Sequence, residues 1–113
     1  MVRTNHDHEI RRQVRLMADY GTAGVWDHDG TALDLTRLPL SPRLRARLVR
    51  WCDRFQASFD REIDLEAFAA EGRAIAHAVK AELPDWLIVN FDEAAAASEK
   101  YQGPPSTYEV EIE

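Results

Sequence analysis

The 113-residue sequence predicts an α+β domain, a mixed or antiparallel sheet of four or five strands covered on one face by two antiparallel helices. Three observations carry this. Apolar side chains recur at two-residue steps near both ends of the chain, Val14, Leu16, Ala18 and Tyr20 at one and Tyr108, Val110 and Ile112 at the other. Between them, two long segments repeat apolar residues at three- and four-residue steps, the pattern of helices with one buried side. Finally, Asp85 to Phe91 is apolar at consecutive positions, which suits a strand inside the sheet.

The first strand breaks at Gly21, and a short second strand follows around Val25 and Trp26. Asp27-His28-Asp29-Gly30 reads as a hairpin turn, because Asp and Gly both tolerate positive φ, with a return strand over residues 31–38 through Leu33 and Leu35. Ser41-Pro42 starts the first helix, serine capping free N–H groups and proline's fixed φ suiting the first helical position. Leu44, Leu48, Trp51, Cys52, Phe55 and Phe59 form its apolar stripe. Asp64 caps the second helix, with Ile63 and Phe68 as a hydrophobic staple across the cap. Its buried face is Leu65, Phe68, Ala69, Gly72, Ile75, Ala76, Val79 and Leu83, and Pro84 ends it. Ala94 to Ala97 form a short helix capped by Asp92. Beyond the Gly103-Pro104-Pro105 loop, the last strand alternates with Glu109, Glu111 and Glu113, a carboxylate ladder on its outer face. The core expected from this scheme packs Trp51, Phe55, Phe59 and Phe68 against Trp86, Ile88 and Val14.

At this length one domain spans residues 1–113, with residues 1–9 expected as a mobile tail. The composition, 45% hydrophobic and 30% charged, is that of a soluble globular protein, and no apolar run approaches the ~20 residues of a membrane span. The polar N-terminus lacks the apolar stretch of a secretory signal, so a cytoplasmic location and no membrane partner are expected. Cys52 lies at an apolar helical position and is expected to be buried as a small hydrophobe. The net charge of −6 hides a division: residues 1–61 carry 11 Arg and 8 carboxylates, whereas residues 62–113 carry 3 basic residues and 12 carboxylates. The chain is thus a charge dipole along its sequence, able to steer partners of either sign.

Catalytic signals are thin. His6, His8, His28 and His77 with Asp7, Asp27 and Asp29 supply metal-ligand chemistry, but one group falls in the tail and another is explained by its turn. Asp27-x-Asp29-Gly30 resembles the opening of a calcium loop, yet its twelfth position is Leu38, so no calcium site is expected. No metal pair on a helix, CxxC or glycine-rich phosphate loop occurs, and no cofactor is expected. Three surfaces remain. Arg43, Arg47, Arg50, Arg54 and Arg61 line one flank of the first helix, an anion-binding candidate whose plainer explanation is a solvated face. Glu93, Glu99, Glu109, Glu111 and Glu113 form a candidate protein-binding face, for which protection of an edge strand is the plainer explanation. Tyr20, Trp26, Asp27 and His28 form a third set, beside the first hairpin.

The segments from Val14 to Gly21, Val25-Trp26-Asp27, Leu38-Pro39-Leu40-Ser41, Trp51-x-x-x-Phe55 and Glu71-Gly72-Arg73 resemble a set of small uncharacterised bacterial proteins. That set combines a "DYG…WD" opening with "LPLS", a tryptophan-bearing helix and an "EGR" helix; the similarity spans roughly residues 10–91. Relative to the pattern, this chain is shorter between Asp27 and Leu38 and between the helices. The resemblance implies a compact autonomous domain and carries no activity. The reading ranked first is therefore a small protein-binding domain without catalytic activity, an immunity or antitoxin-like inhibitor that captures a basic toxin through its acidic face. A nucleic-acid-associated module using the arginine row ranks second, against an acidic overall charge. An enzyme of small-molecule or metal chemistry around Tyr20, Trp26, Asp27 and His28 ranks third, and homodimerisation through the last strand is compatible with all three.

Overall fold

The computed structural model describes residues 12–18, 24–27, 29–57, 64–98 and 108–113. Four strands, β1 (Gln13–Leu16), β2 (Val25–Trp26), β3 (Leu87–Phe91) and β4 (Glu109–Ile112), form one sheet in the order β2-β1-β3-β4. The helices are α1 (Pro42–Ala57), α2 (Leu65–Glu82) and α3 (Glu93–Ser98). β1 is antiparallel to β2 and parallel to β3, and β3 is antiparallel to β4, so the sheet is mixed. A parallel central pair requires a long crossover, and the α1–α2 segment supplies it.

Register assigns the two faces. Val14 lies opposite Ile88, Ile88 opposite Ile112, and Leu16 opposite Val25. All of these are buried in one core with Leu44, Leu48, Trp51 and Cys52 of α1 and Phe68, Ile75 and Val79 of α2. Each large side chain buried this way contributes roughly 1.5–3 kcal/mol. Leu65, expected in that face, is only half-buried at the first position of α2. A smaller cluster of Phe91, Ala96 and Tyr108, joined by Met17 and Ala95, seats α3 at the end of the sheet. There the Phe91 and Tyr108 rings meet edge-on, 6.0 Å apart.

Capping follows the sequence closely. Ser41 Oγ accepts the Leu44 N–H at 3.2 Å, Asp64 Oδ1 accepts the Ala67 N–H at 3.1 Å, and Asp92 Oδ1 accepts the Ala95 N–H at 3.0 Å. Glu82, at the end of α2, accepts both the N–H and the hydroxyl of Ser41 at 2.7 Å. A carboxylate is thereby placed at the positive end of the α1 dipole. This contact, with Arg54 of late α1 against Glu71 of α2, fixes the two long helices as antiparallel. Lys80 Nζ donates to the Trp86 carbonyl at 2.7 Å and closes the turn into β3.

Three expectations need correction. The first strand ends at Leu16, although burial alternates on to Ala18; Tyr20 and Gly21 lie outside the described residues, as do Phe59 and Ile63. The return strand over residues 31–38 contracts to one bridge between Trp26 and Ala32, with the Leu33 N–H donating to the Val25 carbonyl at 2.8 Å. Asp34 then starts a 3-10 turn over Leu35–Arg37. Its Oδ1 accepts the Thr36 N–H and hydroxyl, at 2.9 and 2.8 Å, which hold this carboxyl below its usual range. In the preceding turn Gly30 adopts positive φ, at 81°, and its N–H donates to the Asp27 carbonyl. The third correction concerns β4: Val110 is 51% exposed, whereas Glu109 is half-buried because it turns toward Arg15.

Trp51 is fully buried, its ring stacked on Phe68 at 4.8 Å and its Nε1 donating to the Phe68 carbonyl at 3.1 Å. A Cβ at Gly72 would lie 2.7 Å from Trp51 Cζ2, inside contact distance and against a ring that cannot yield. Gly72→Ala is therefore expected to destabilise the fold by about 1–3 kcal/mol in urea unfolding. Combined with Trp51→Phe, which removes the obstructing edge, it is expected to cost less than the sum of the two single changes; strict additivity would refute the clash.

Candidate functional site

The acidic set does not assemble as one surface. Glu111 and Glu113 are exposed, Glu109 is half-buried, and Glu99 lies outside the described residues. Glu109 Oε2 accepts from Arg15 Nη1 at 2.6 Å, an ion pair that reaches across β3 from β1 to β4. In the sequence Arg15 is simply a polar position between Val14 and Leu16. The signal for the pair is its parity: Arg15, Val89 and Glu111 share one row of the sheet, and Glu109 lies on the same face.

Glu93 is withdrawn from the surface altogether, at 4% exposure. It occupies the first position of α3, and its Oε2 accepts the Ala18 N–H at 3.1 Å, tying α3 to the chain just beyond β1. Burial pushes this carboxyl up from the usual 4.5 to about 7; the N–H groups of Ala18 and of Glu93 itself pull downward, and Asp92 adds to the rise. Asn90, also buried, leaves its Oδ1 without a hydrogen-bond partner among the described residues, as does the buried Nε of Arg15.

The third set likewise has local roles. Trp26 Nε1 donates to the Met17 carbonyl at 2.8 Å. Asp27 Oδ1 accepts the N–H groups of Asp29 and Thr31, at 2.8 and 2.9 Å, and so shapes its own turn. Tyr20 and His28 lie outside the described residues. Among the described residues no group of three or more His, Cys, Asp or Glu gathers to hold a metal ion, and His77 is exposed on α2. Cys52 is buried, as expected. A groove of about 560 Å³ that the sequence did not suggest lies between α2 and α3. Alanines form much of its wall, and Arg73 faces Asp92 across it at 3.8 Å.

The described members of the arginine row lie together on α1. Arg43, Arg50 and Arg54 are exposed and Arg47 half-buried on α1, while Arg61 lies outside the described residues. At 100° per residue the four fall within a wedge of about 60°. Arg54 pairs with Glu71 of α2, but no ion pair among the described residues engages Arg43, Arg47 or Arg50. No described helix is long and apolar enough to cross a membrane.

These elements define a small α+β domain in which a helical layer packs on one face of a four-stranded mixed sheet. A family model described as Serratia CdiI immunity protein-like matches residues 12–94, and the chain belongs to that family. The matched region runs from β1 to the start of α3 and contains the arginine row; β4 lies beyond it. No curated protein matches the chain.

The Glu93 carboxyl gives the domain a pH dependence with a defined sign. Unfolded, it releases its proton near 4.5; folded, it holds the proton to about 7, so folding takes up a proton between these values. The contribution of Glu93 to stability is therefore full below the lower value, falls by roughly 3 kcal/mol as pH rises to the upper one, and is level beyond. Glu93→Gln keeps an acceptor for the Ala18 N–H and removes the titration. Its contribution should vanish from urea-unfolding profiles across that window, leaving the variant more stable than the parent at alkaline pH; coincident profiles would assign the ionisation elsewhere.

Proposed function

We propose that this chain is an immunity protein that inhibits a toxin domain by binding it. The family match over residues 12–94 carries the reading. The architecture supports it: among the described residues, a single layer of helices on a small sheet leaves the outer flank of α1 and the β4 edge uncovered, and a surface held by a packed core loses little freedom on association. The charged side chains displayed there suit electrostatic capture, in which opposite fields accelerate encounter before close contacts form. On this reading the inhibition is stoichiometric and requires no chemistry from the chain itself.

Co-expression with a candidate toxin domain is the direct test. The chain is expected to restore growth, and the purified proteins to co-elute as a stable complex. Growth arrest that persists at full expression of the folded chain, with no complex formed, would sink the proposal.

A further inference from the structure

We infer that the arginine row of α1 is the toxin-docking surface, and that the segment it receives is an acidic stretch of protein, helical in form. This rests on the immunity reading and names the surface and partner chemistry that the reading leaves open.

The two charged surfaces differ in what they have left to give. On the acidic side, Glu93 is buried and Glu109 is held by Arg15, so Glu111 and Glu113 alone remain exposed among the described members of that set. On the basic side, Arg43, Arg47 and Arg50 keep their guanidinium groups clear of every described carboxylate. Asp53, the single acidic residue of α1, is exposed to one side of the row and is not paired with it.

The row's spacing specifies its complement. Steps of four, three and four residues from Arg43 to Arg54 place guanidinium groups along a line of about 16 Å at the helical rise. Carboxylates at the same steps on a second helix present a matching line. The fold already contains one such contact, because Arg54 at the end of the row meets Glu71 on the adjacent helix α2. Guanidinium groups favour carboxylates through paired N–H donors, which fixes orientation as well as attraction.

A second observation separates protein from nucleic acid. A long polyanion would meet the remainder of a chain whose net charge is −6.

The test uses the full chain and two probes. The first is a fluorescent helical peptide with glutamates at four-, three- and four-residue steps; the second is an oligouridylate of equal charge. The peptide is expected to bind with an affinity that falls as salt rises. Arg43→Gln/Arg47→Gln/Arg50→Gln should weaken it on the order of tenfold or more, while Arg45→Gln, on the same helix but off the row, should leave it intact. Glutamine retains helix propensity, and circular dichroism with a thermal melt verifies folding. Tighter binding of the oligouridylate than of the peptide would overturn the inference. In the toxin assay, failure of the wild-type chain to form a complex overturns the immunity reading itself. A complex whose association rate and affinity survive the triple glutamine change overturns the docking surface alone.

Discussion

The packing of Trp51 is the constraint on which the architecture depends. Its ring lies flat on Phe68, its indole N–H is held by the Phe68 carbonyl, and both neighbours that would obstruct it, Gly24 and Gly72, lack a side chain. One residue of α1 therefore sets the approach of α2 and touches the chain entering β2. Gly24 adopts φ of 82°, so its lack of a Cβ serves backbone and packing at once. Because Trp51 is fully buried, it also fixes the rotation of α1 about its axis. That rotation turns Leu44 and Leu48 into the core and the arginine row outward.

Electrostatics then divides the charged residues into those that brace the fold and those that remain at its surface. Glu82 binds the start of α1, Glu71 receives Arg54, Glu109 receives Arg15, and Glu93 holds the Ala18 N–H. Several of the acidic residues that dominate the second half of the sequence thus meet groups of the first half, and the dipole apparent along the chain is partly cancelled in space. Partly exposed pairs of this kind contribute at most about 1 kcal/mol each. Their larger effect is on charge distribution: they take carboxylates out of the available surface and leave three arginines of the α1 row without a described carboxylate partner.

Much of this fold was legible because local chemistry and tertiary structure agree. Ser41, Asp64 and Asp92 cap the helices that their positions announce, and the three- and four-residue spacing of α1 and α2 marks the residues that become buried. The return strand was misread because Leu33 and Leu35 alternate as strand residues do, yet Asp34 binds Thr36 and draws the chain into a 3-10 turn that buries the same leucines. Spacing records which side chains are buried, not which backbone buries them. The charged sites were less legible for a related reason. The arginine row belongs to one helix, so its geometry follows from periodicity alone, whereas Arg15–Glu109 and Glu93–Ala18 join residues far apart in sequence, whose meeting depends on strand order.

The strand order also explains why the two candidate surfaces are unequal. An edge strand shares its charged side chains with the neighbouring strands, and here β1 reaches Glu109 across β3. The outer flank of a surface helix has fewer such neighbours, so its cations stay free unless a second helix is brought alongside, as α2 is for Arg54 alone. For an inhibitor this placement has a kinetic consequence. Long cationic side chains on a helix anchored by a fully buried tryptophan combine mobile, far-reaching charge with a rigid base. In the proposed docking, the charge accelerates encounter and the base preserves the spacing that selects a complementary row, so rate and specificity arise from the same unpaired arginines.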